Sequence, residues 1–193
     1  MLHGLLLAAG EASRMPNKPL LPQANGQLVI ESGLHFLNHN CDDITVVENG
    51  TRIISKALTI SGWSLQYKVQ DDATGVMDAI RCGVQGMTGE VVIAFCDNIY
   101  DFEERVPDRY CASIRKVEGE LDGYTDKWVY RDENPTWKLA GWYRVPVGFV
   151  DDTKDVLDWL NKWRIEAHAM FGKWYDVGTV KSYGRYLDEH LNK

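Results

Sequence analysis

The chain has 193 residues, 45% of them hydrophobic, which suits one domain with a proper core. Its formal charge of −7 excludes a broad nucleic-acid or anionic-membrane face, because both need clustered cations. A small anionic substrate stays open, since it asks only for local positive charge. No apolar run reaches the ~20 residues that span a bilayer, and no basic stretch precedes the apolar N-terminus, so neither a membrane helix nor a signal peptide is expected. Cys41, Cys82, Cys96 and Cys111 show no CxxC spacing. They are expected to be reduced and mostly buried, without zinc, in a cytoplasmic protein.

Taken along the chain, Leu2 to Ala8 predicts a buried strand. It runs into Ala8-Ala9-Gly10-Glu11-Ala12-Ser13-Arg14-Met15, closed by Lys18-Pro19-Leu20. A small-residue turn after a strand lets backbone N–H groups approach a phosphate, and Arg14 and Lys18 can neutralise it. The run has neither P-loop nor dinucleotide-fingerprint spacing, so on chemistry alone a plain strand-to-helix loop with solvated cations competes. Val29 to Asn38 predicts a helix, with Ile30, Leu34 and Leu37 at helical spacing. Ile44 to Val47 predicts a strand, and Thr51 is placed to cap a helix through Leu58 that ends at Gly62.

Leu65 to Val69 predicts a third strand, ending at Gln70, and Gly75 opens a helix to Val84. A Gln amide both donates and accepts, which suits the edge of a base. Gly75 would let a base lie against the backbone, and both residues also read as ordinary loop positions. Val91 to Phe95 predicts a strong buried strand, followed by Cys96-Asp97-Asn98. In an open α/β sheet ligands bind at such a strand end, and a carboxylate there suits Mg²⁺ or caps the next turn. The alternation so far implies a parallel sheet covered on both faces.

Residues 109–145 are aromatic and alternating, which predicts antiparallel strands; Trp137 or Trp142 could stack on a ring. Asp152 or Thr153 is placed to cap a helix through Trp163, Ala167 to Trp174 reads as an edge strand, and Thr179 is placed to cap a last helix. Asp176, in Trp174-Tyr175-Asp176-Val177-Gly178-Thr179, is the natural second carboxylate, or else only the start signal of that helix. The five histidines are scattered and read as surface or core residues.

These blocks, in this order, resemble the sugar-1-phosphate nucleotidylyltransferases, and in their motifs the glucose-1-phosphate thymidylyltransferases. The opening run is similar to L-A-[AG]-G-x-G-[ST]-R-[LM] followed by P-K-x-L-[LV]-P. Leu65 to Gln70 with Gly75 resembles the base-binding segment, and Cys96-Asp97-Asn98-Ile99-Tyr100 resembles G-D-N-I-F. Glu133-Asn134-Pro135 is similar to E-K-P, Ala140-Gly141-Trp142-Tyr143 to A-x-x-G-x-Y, and Trp174 to Thr179 to W-x-D-x-G-T. Ala12 stands in place of the loop's second glycine and Asn134 in place of the E-K-P lysine.

The resemblance implies a Rossmann-like three-layer α/β/α nucleotidyltransferase fold with a mixed, mostly parallel central sheet and a small antiparallel lobe. It implies one domain over 1–193, with a nucleotide-binding half (1–100) and a sugar-phosphate half (101–193). It implies transfer of a nucleotidyl group from an NTP, dTTP or UTP favoured, to a sugar 1-phosphate, releasing pyrophosphate. Ala8, Ala9, Gly10 and Ser13 would hold the nucleotide phosphates, and Gln70 and Gly75 the base. Arg14, Lys18 and Asp97 would be catalytic, and Asp97 and Asp176 would hold Mg²⁺. Glu133, Lys138 and Gly141 would meet the sugar phosphate, with Lys138 standing in for the missing lysine. A homo-oligomer is compatible with this reading. Two alternatives stay open: a cytidylyltransferase acting on a phospho-alcohol or cofactor precursor, and a non-catalytic nucleotide or sugar-phosphate binding module.

Overall fold

β1 (Leu2–Ala8) runs through the middle of the molecule, and Leu5, Leu6, Leu7 and Ala8 are all buried, as a strand covered on both faces requires. The structure is a computed structural model and describes residues 1–10, 15, 17–72, 74–100, 105–116, 137–170 and 173–191. α1 (Val29–Asn40) runs two residues past the expected end. Glu31 secures its start: one carboxylate oxygen accepts from Leu28 N at 2.7 Å and the other from Trp63 Nε1 at 3.1 Å.

β2 (Asp43–Asn49) and β3 (Gln66–Gln70) pair in parallel beside β1. Between them, α2 (Ile53–Ile60) is not capped by Thr51. Arg52 precedes it in the left-handed region, φ 53, and offers no side-chain cap. The cap comes from β2, where the buried Glu48 accepts from Ser55 N at 2.9 Å. A carboxylate there also answers the positive end of the helix dipole.

α3 (Val76–Val84) carries the chain to β4 (Glu90–Phe95), which pairs in parallel with β1 on the side away from β2. β5 (Asn98–Tyr100) leaves that sheet. β6 (Cys111–Lys116) and β7 (Trp137–Pro146) form the antiparallel pair that the aromatic alternation predicts. α4 (Val156–Lys162) is capped by Asp155, which accepts from Asp158 N, and not by Asp152 or Thr153. The expected edge strand over Ala167–Trp174 is two strands in different sheets. β8 (Glu166–Ala169) pairs with β6, and β9 (Trp174–Asp176) pairs with β5. α5 (Val180–Leu191) starts as expected from Thr179, whose hydroxyl accepts from Ser182 N at 3.1 Å.

The large sheet has the order β3-β2-β1-β4-β7-β6-β8, and in it only β7 runs against the other described strands. One face packs Leu6, Val46, Val92 and Trp142 against Ile30, Leu34 and Leu37 of α1 and Ile54 and Leu58 of α2. The other packs Leu5, Val91, Ile93 and Tyr143 against Met77 and Ile80 of α3 and Leu157 and Leu160 of α4. Each such side chain contributes about 1.5–3 kcal/mol by burial. The result is the three-layer, mixed, mostly parallel α/β architecture with a small antiparallel sheet. Trp142 is fully buried, against Phe36 and His168, so it has no face for a ligand ring. The four cysteines form no disulfide among the described residues, and Cys96 and Cys111 are buried and Cys41 and Cys82 half-buried.

Candidate active site

The sheet order reverses between β1 and β4, with β2 and β3 lying beyond β1 on one side and β7, β6 and β8 beyond β4 on the other. Such a switch point leaves a crevice at the carboxyl ends of the strands. Ala8 ends β1 there and Ala9 follows, both buried, and Gly10 comes next at the surface with open space where a side chain would begin. Across the crevice β4 ends at Phe95, and Cys96 and Asp97 turn the chain into β5.

Lys18, in the short 3-10 helix Lys18–Leu20, reaches over this crevice and donates to Asp97 Oδ2 at 2.5 Å. Asn17 before it takes the left-handed conformation, φ 55, which Asn tolerates better than most residues. Burial alone would lower the Lys18 pKa. The bonded Asp97 carboxylate, with Cys96 and Asp176 adding to it, carries it above its ordinary 10.5. Asp97 also accepts from Asn98 Nδ2 at 3.1 Å, and its carbonyl accepts from Val177 N at 2.9 Å.

Asp176, far off in sequence, arrives through β9. The β5–β9 pairing sets it opposite Asn98, next door to Asp97. A Cβ placed on Gly178 would meet Asp176 Oδ1 at 2.9 Å and Asp97 Oδ2 at 3.6 Å, so both carboxylates flank one point. Asp176 is aimed by Gly178 N, which donates to its Oδ1 at 2.9 Å. The expected pairing of Asp97 with Asp176 is therefore present, and Lys18 sits in it. Two carboxylates against one ammonium leave a negative surplus of hard oxygen donors. That suits Mg²⁺, which takes one or two carboxylates and draws further ligands from phosphate and water. Among the described residues no group of three or more His, Cys, Asp or Glu side chains gathers to hold a metal unaided.

Gln70 ends β3 on the same rim, largely buried, and its amide nitrogen donates to Thr74 Oγ1 at 3.4 Å. Gly75 begins α3 at φ 123, a conformation that L side chains rarely adopt, with open space around it. Backbone geometry, not packing, demands glycine there.

Lys138 and Gly141 lie on β7. Lys138 Nζ stands 4.5 Å from the centre of the Trp174 ring, a cation–π contact that ties it to β9. Gly141 has φ 88 at a bulge in β7. Its carbonyl accepts from the Tyr100 hydroxyl at 2.7 Å, and a Cβ there would meet the Asn98 side chain at 2.7 Å. Gly141 thus keeps β7 close under β5. Ser113 holds the bulge from β6, its hydroxyl accepting from Trp142 N at 3.0 Å and donating to Trp142 O at 2.9 Å. Ser13, Arg14 and Glu133 lie outside the described residues. Ser113 and Arg115 alternate with Cys111 along β6 and share one face.

Residues 4–118 match the family described as MobA-like NTP transferase domain. No curated protein matches the chain significantly in sequence. In fold, the chain matches a protein assigned as a glucose-1-phosphate thymidylyltransferase from Bacillus anthracis, solved with sucrose, with a TM-score of 0.77 and 19% identity, over 100% of this chain and 96% of that one. It matches a UDP-glucose pyrophosphorylase solved with UDP-glucose with a TM-score of 0.76 and 15% identity, over 100% of this chain and 99% of that one. At these identities the likeness carries the fold, and the chemistry has to come from the site.

Proposed function

The chain belongs to the MobA-like NTP transferase domain family, and from that premise we propose that this nucleotidyltransferase moves the nucleotidyl group of an NTP, dTTP or UTP favoured, onto a sugar 1-phosphate. The observation that carries the reading is the cluster of Lys18, Asp97 and Asp176 beside the Ala8-Ala9-Gly10 turn. A pure binding module has little use for two carboxylates flanking one point under a lysine.

In this reading an oxygen of the sugar phosphate attacks the α-phosphorus. The bond from that phosphorus to the bridging oxygen breaks, and pyrophosphate leaves with the electron pair. No protein nucleophile is needed, because phosphoryl-type transfer asks mainly for positioning and charge stabilisation. The small-residue turn, with Ser13 and Arg14, cradles the triphosphate. Lys18 stabilises charge growing at the α-phosphate, and Arg14 the charge on the departing pyrophosphate. Asp97 and Asp176 would hold Mg²⁺, which when bound supplies positive charge to the reacting phosphate. Gln70 reads the base edge, and Gly75 keeps the backbone open beneath it. Glu133 takes sugar hydroxyls and Lys138 the sugar phosphate. The work thus divides between residues 1–100, which serve the nucleotide, and 101–193, which serve the acceptor.

Pyrophosphate release across a matrix of the common NTPs against hexose 1-phosphates and phospho-alcohols tests this. Release with dTTP or UTP and a sugar phosphate is expected. Release only with CTP and a phospho-alcohol would favour the cytidylyltransferase alternative, and NTP binding without release in any pair would favour a binding module.

A further inference from the structure

A cavity of about 360 Å³ lies where the turn after Lys18–Leu20, α1, β5 and α5 meet, and neither Lys18 nor Asp97 lines it. That volume falls within the roughly 300–1,000 Å³ of small-molecule sites. Gln23, Ser32, Ile99, Tyr100 and Tyr186 form its buried part. Asn25, Gln27 and His35 are exposed at its rim, and His190 is half-buried.

The turn that carries three of these residues is held in shape. Pro22 and Leu28 form an antiparallel bridge, and Gln23 N donates to Gln27 O at 2.6 Å. Asn25 Oδ1 accepts from Gln27 N at 3.1 Å. α5 ties the turn down: the Tyr183 hydroxyl donates to Pro22 O at 2.5 Å, and the Tyr186 hydroxyl accepts from Ala24 N at 3.3 Å. A wall fixed in this way costs little further ordering when a ligand arrives.

Two acceptors stand unused in the lining. Gln23 is only 7% exposed, and its amide nitrogen donates to Leu28 O at 2.6 Å. Among the described residues no donor reaches its Oε1. A buried amide oxygen left without a partner is costly, and a ligand hydroxyl would supply one. His190 Nδ1 lies 2.8 Å from Tyr186 O. A carbonyl only accepts, so Nδ1 carries the proton and Nε2 of the neutral ring is left as an acceptor. At the rim, the Asn25 amide spends one hydrogen on Gln27 Oε1 and the Gln27 amide one on His35 Nε2, and each keeps a second.

The lining therefore both accepts and donates, and among the described residues it contains no Lys, Arg, Asp or Glu. Hydroxyl groups match that pattern, because each can donate and accept. A phosphate would bring negative charge and acceptors to a wall with no lysine or arginine to meet them. The rings of Tyr100 and Tyr186 add apolar surface for the carbon face of a ligand.

We propose that this cavity binds an uncharged, hydroxyl-rich ring, a free monosaccharide, at a site separate from the one that carries nucleotidyl transfer. Gln23 Oε1 and His190 Nε2 take its hydroxyl protons, and the amides of Asn25 and Gln27 donate to its oxygens. The site stands apart from the transfer reading, since it uses none of Lys18, Asp97 and Asp176.

The test titrates D-glucose, D-galactose and D-mannose into the full chain at pH 8 and follows the imidazole Cε1–H resonances by NMR. At least one sugar is expected to shift His190 and His35 saturably, while His3, held by Asp43 and Thr88 O, stays still. Gln23→Met and His190→Phe keep most of the side-chain bulk. Each, checked for unchanged melting and read at His35, should bind the sugar roughly tenfold more weakly. Asp97→Asn should bind it as the native chain does, and inorganic phosphate should leave His190 unmoved. No shift of His190 with any of the three sugars would overturn the proposal, as would equal sugar binding in the native chain and both cavity variants. Binding lost in Asp97→Asn would place the sugar at the reacting pair and overturn it too. So would an equal response to inorganic phosphate, or tighter binding of thymidine than of any sugar.

Discussion

Lys18 Nζ donates to Asp97 Oδ2 at 2.5 Å, joining residues 79 apart in sequence across the crevice between β1 and β4. The bond sets the cation of the first loop on the carboxylate in the turn after the fourth strand. A substrate phosphate entering the crevice meets both at once. Asp97→Asn keeps the shape and removes the charge, and Arg14→Ala removes the other expected phosphate cation. Each is expected to lower kcat/KM by roughly 100-fold or more, about 3 kcal/mol, as when a preorganised charge partner is lost. Near-normal turnover of either folded variant would contradict the roles given to them.

Gln70 is the one side chain of the proposed base site that the structure describes, at the end of β3 and largely buried. Gln70→Ala should narrow the spread of kcat/KM among dTTP, UTP, CTP and GTP more than it slows the best of them. An unchanged ranking removes Gln70 from the base site.

Gly141→Ala would put a methyl 2.7 Å from the Asn98 side chain at a φ of 88. A destabilisation of roughly 1–3 kcal/mol is expected in urea unfolding, from strain and overpacking together. Because Asn98 adjoins Asp97, activity should fall as well. Full stability in this variant would mean that β7 and β5 part easily.

α2 supplies a separate test. Glu48→Ala removes the carboxylate that accepts from Ser55 N and should cost roughly 1–2 kcal/mol, the usual worth of a cap. Thr51→Ala should cost little, because the start of α2 does not rest on that hydroxyl. Equal losses in the two variants would return the cap to Thr51.

Burial, with Asp42 and Asp43 adding to it, pushes the Cys41 thiol up to about 12. The Cys82 thiol is raised for the same first reason. The thiolate is the reactive form and the raised value disfavours it, so at pH 8 Cys41 holds about a thousandfold less thiolate than an ordinary thiol. Iodoacetamide labelling of Cys41 in the folded protein is therefore expected to be slow at pH 8 and to rise steeply on unfolding in urea. Fast labelling of Cys41 in the native protein would contradict that placement.

Much of this molecule was legible in the sequence because its signals are local. The apolar runs at Leu5–Leu7 and Val91–Phe95, the helical spacing of Ile30, Leu34 and Leu37, and Thr179 before α5 each show themselves within a few residues. The Asp97–Asp176 pairing was legible only through the order of blocks, since nothing near either residue announces the other. What escaped is non-local. Glu48 caps a helix from the strand before it, and β8 and β9 part into two sheets because Ala167 pairs with β6 while Trp174 pairs with β5. The bulge that sets Lys138 beside Arg115 depends on register, which the composition of either strand does not reveal.

The most direct measurement of the central claim follows the α-phosphorus itself. Purified protein is given Mg²⁺, a sugar 1-phosphate and dTTP or UTP labelled at the α-phosphate. The account predicts that the label moves into a nucleotide sugar while unlabelled pyrophosphate accumulates in equal amount, and that Asp97→Asn suppresses both together. Label that stays in the nucleotide with every sugar phosphate offered, from a protein that binds the NTP, would contradict it.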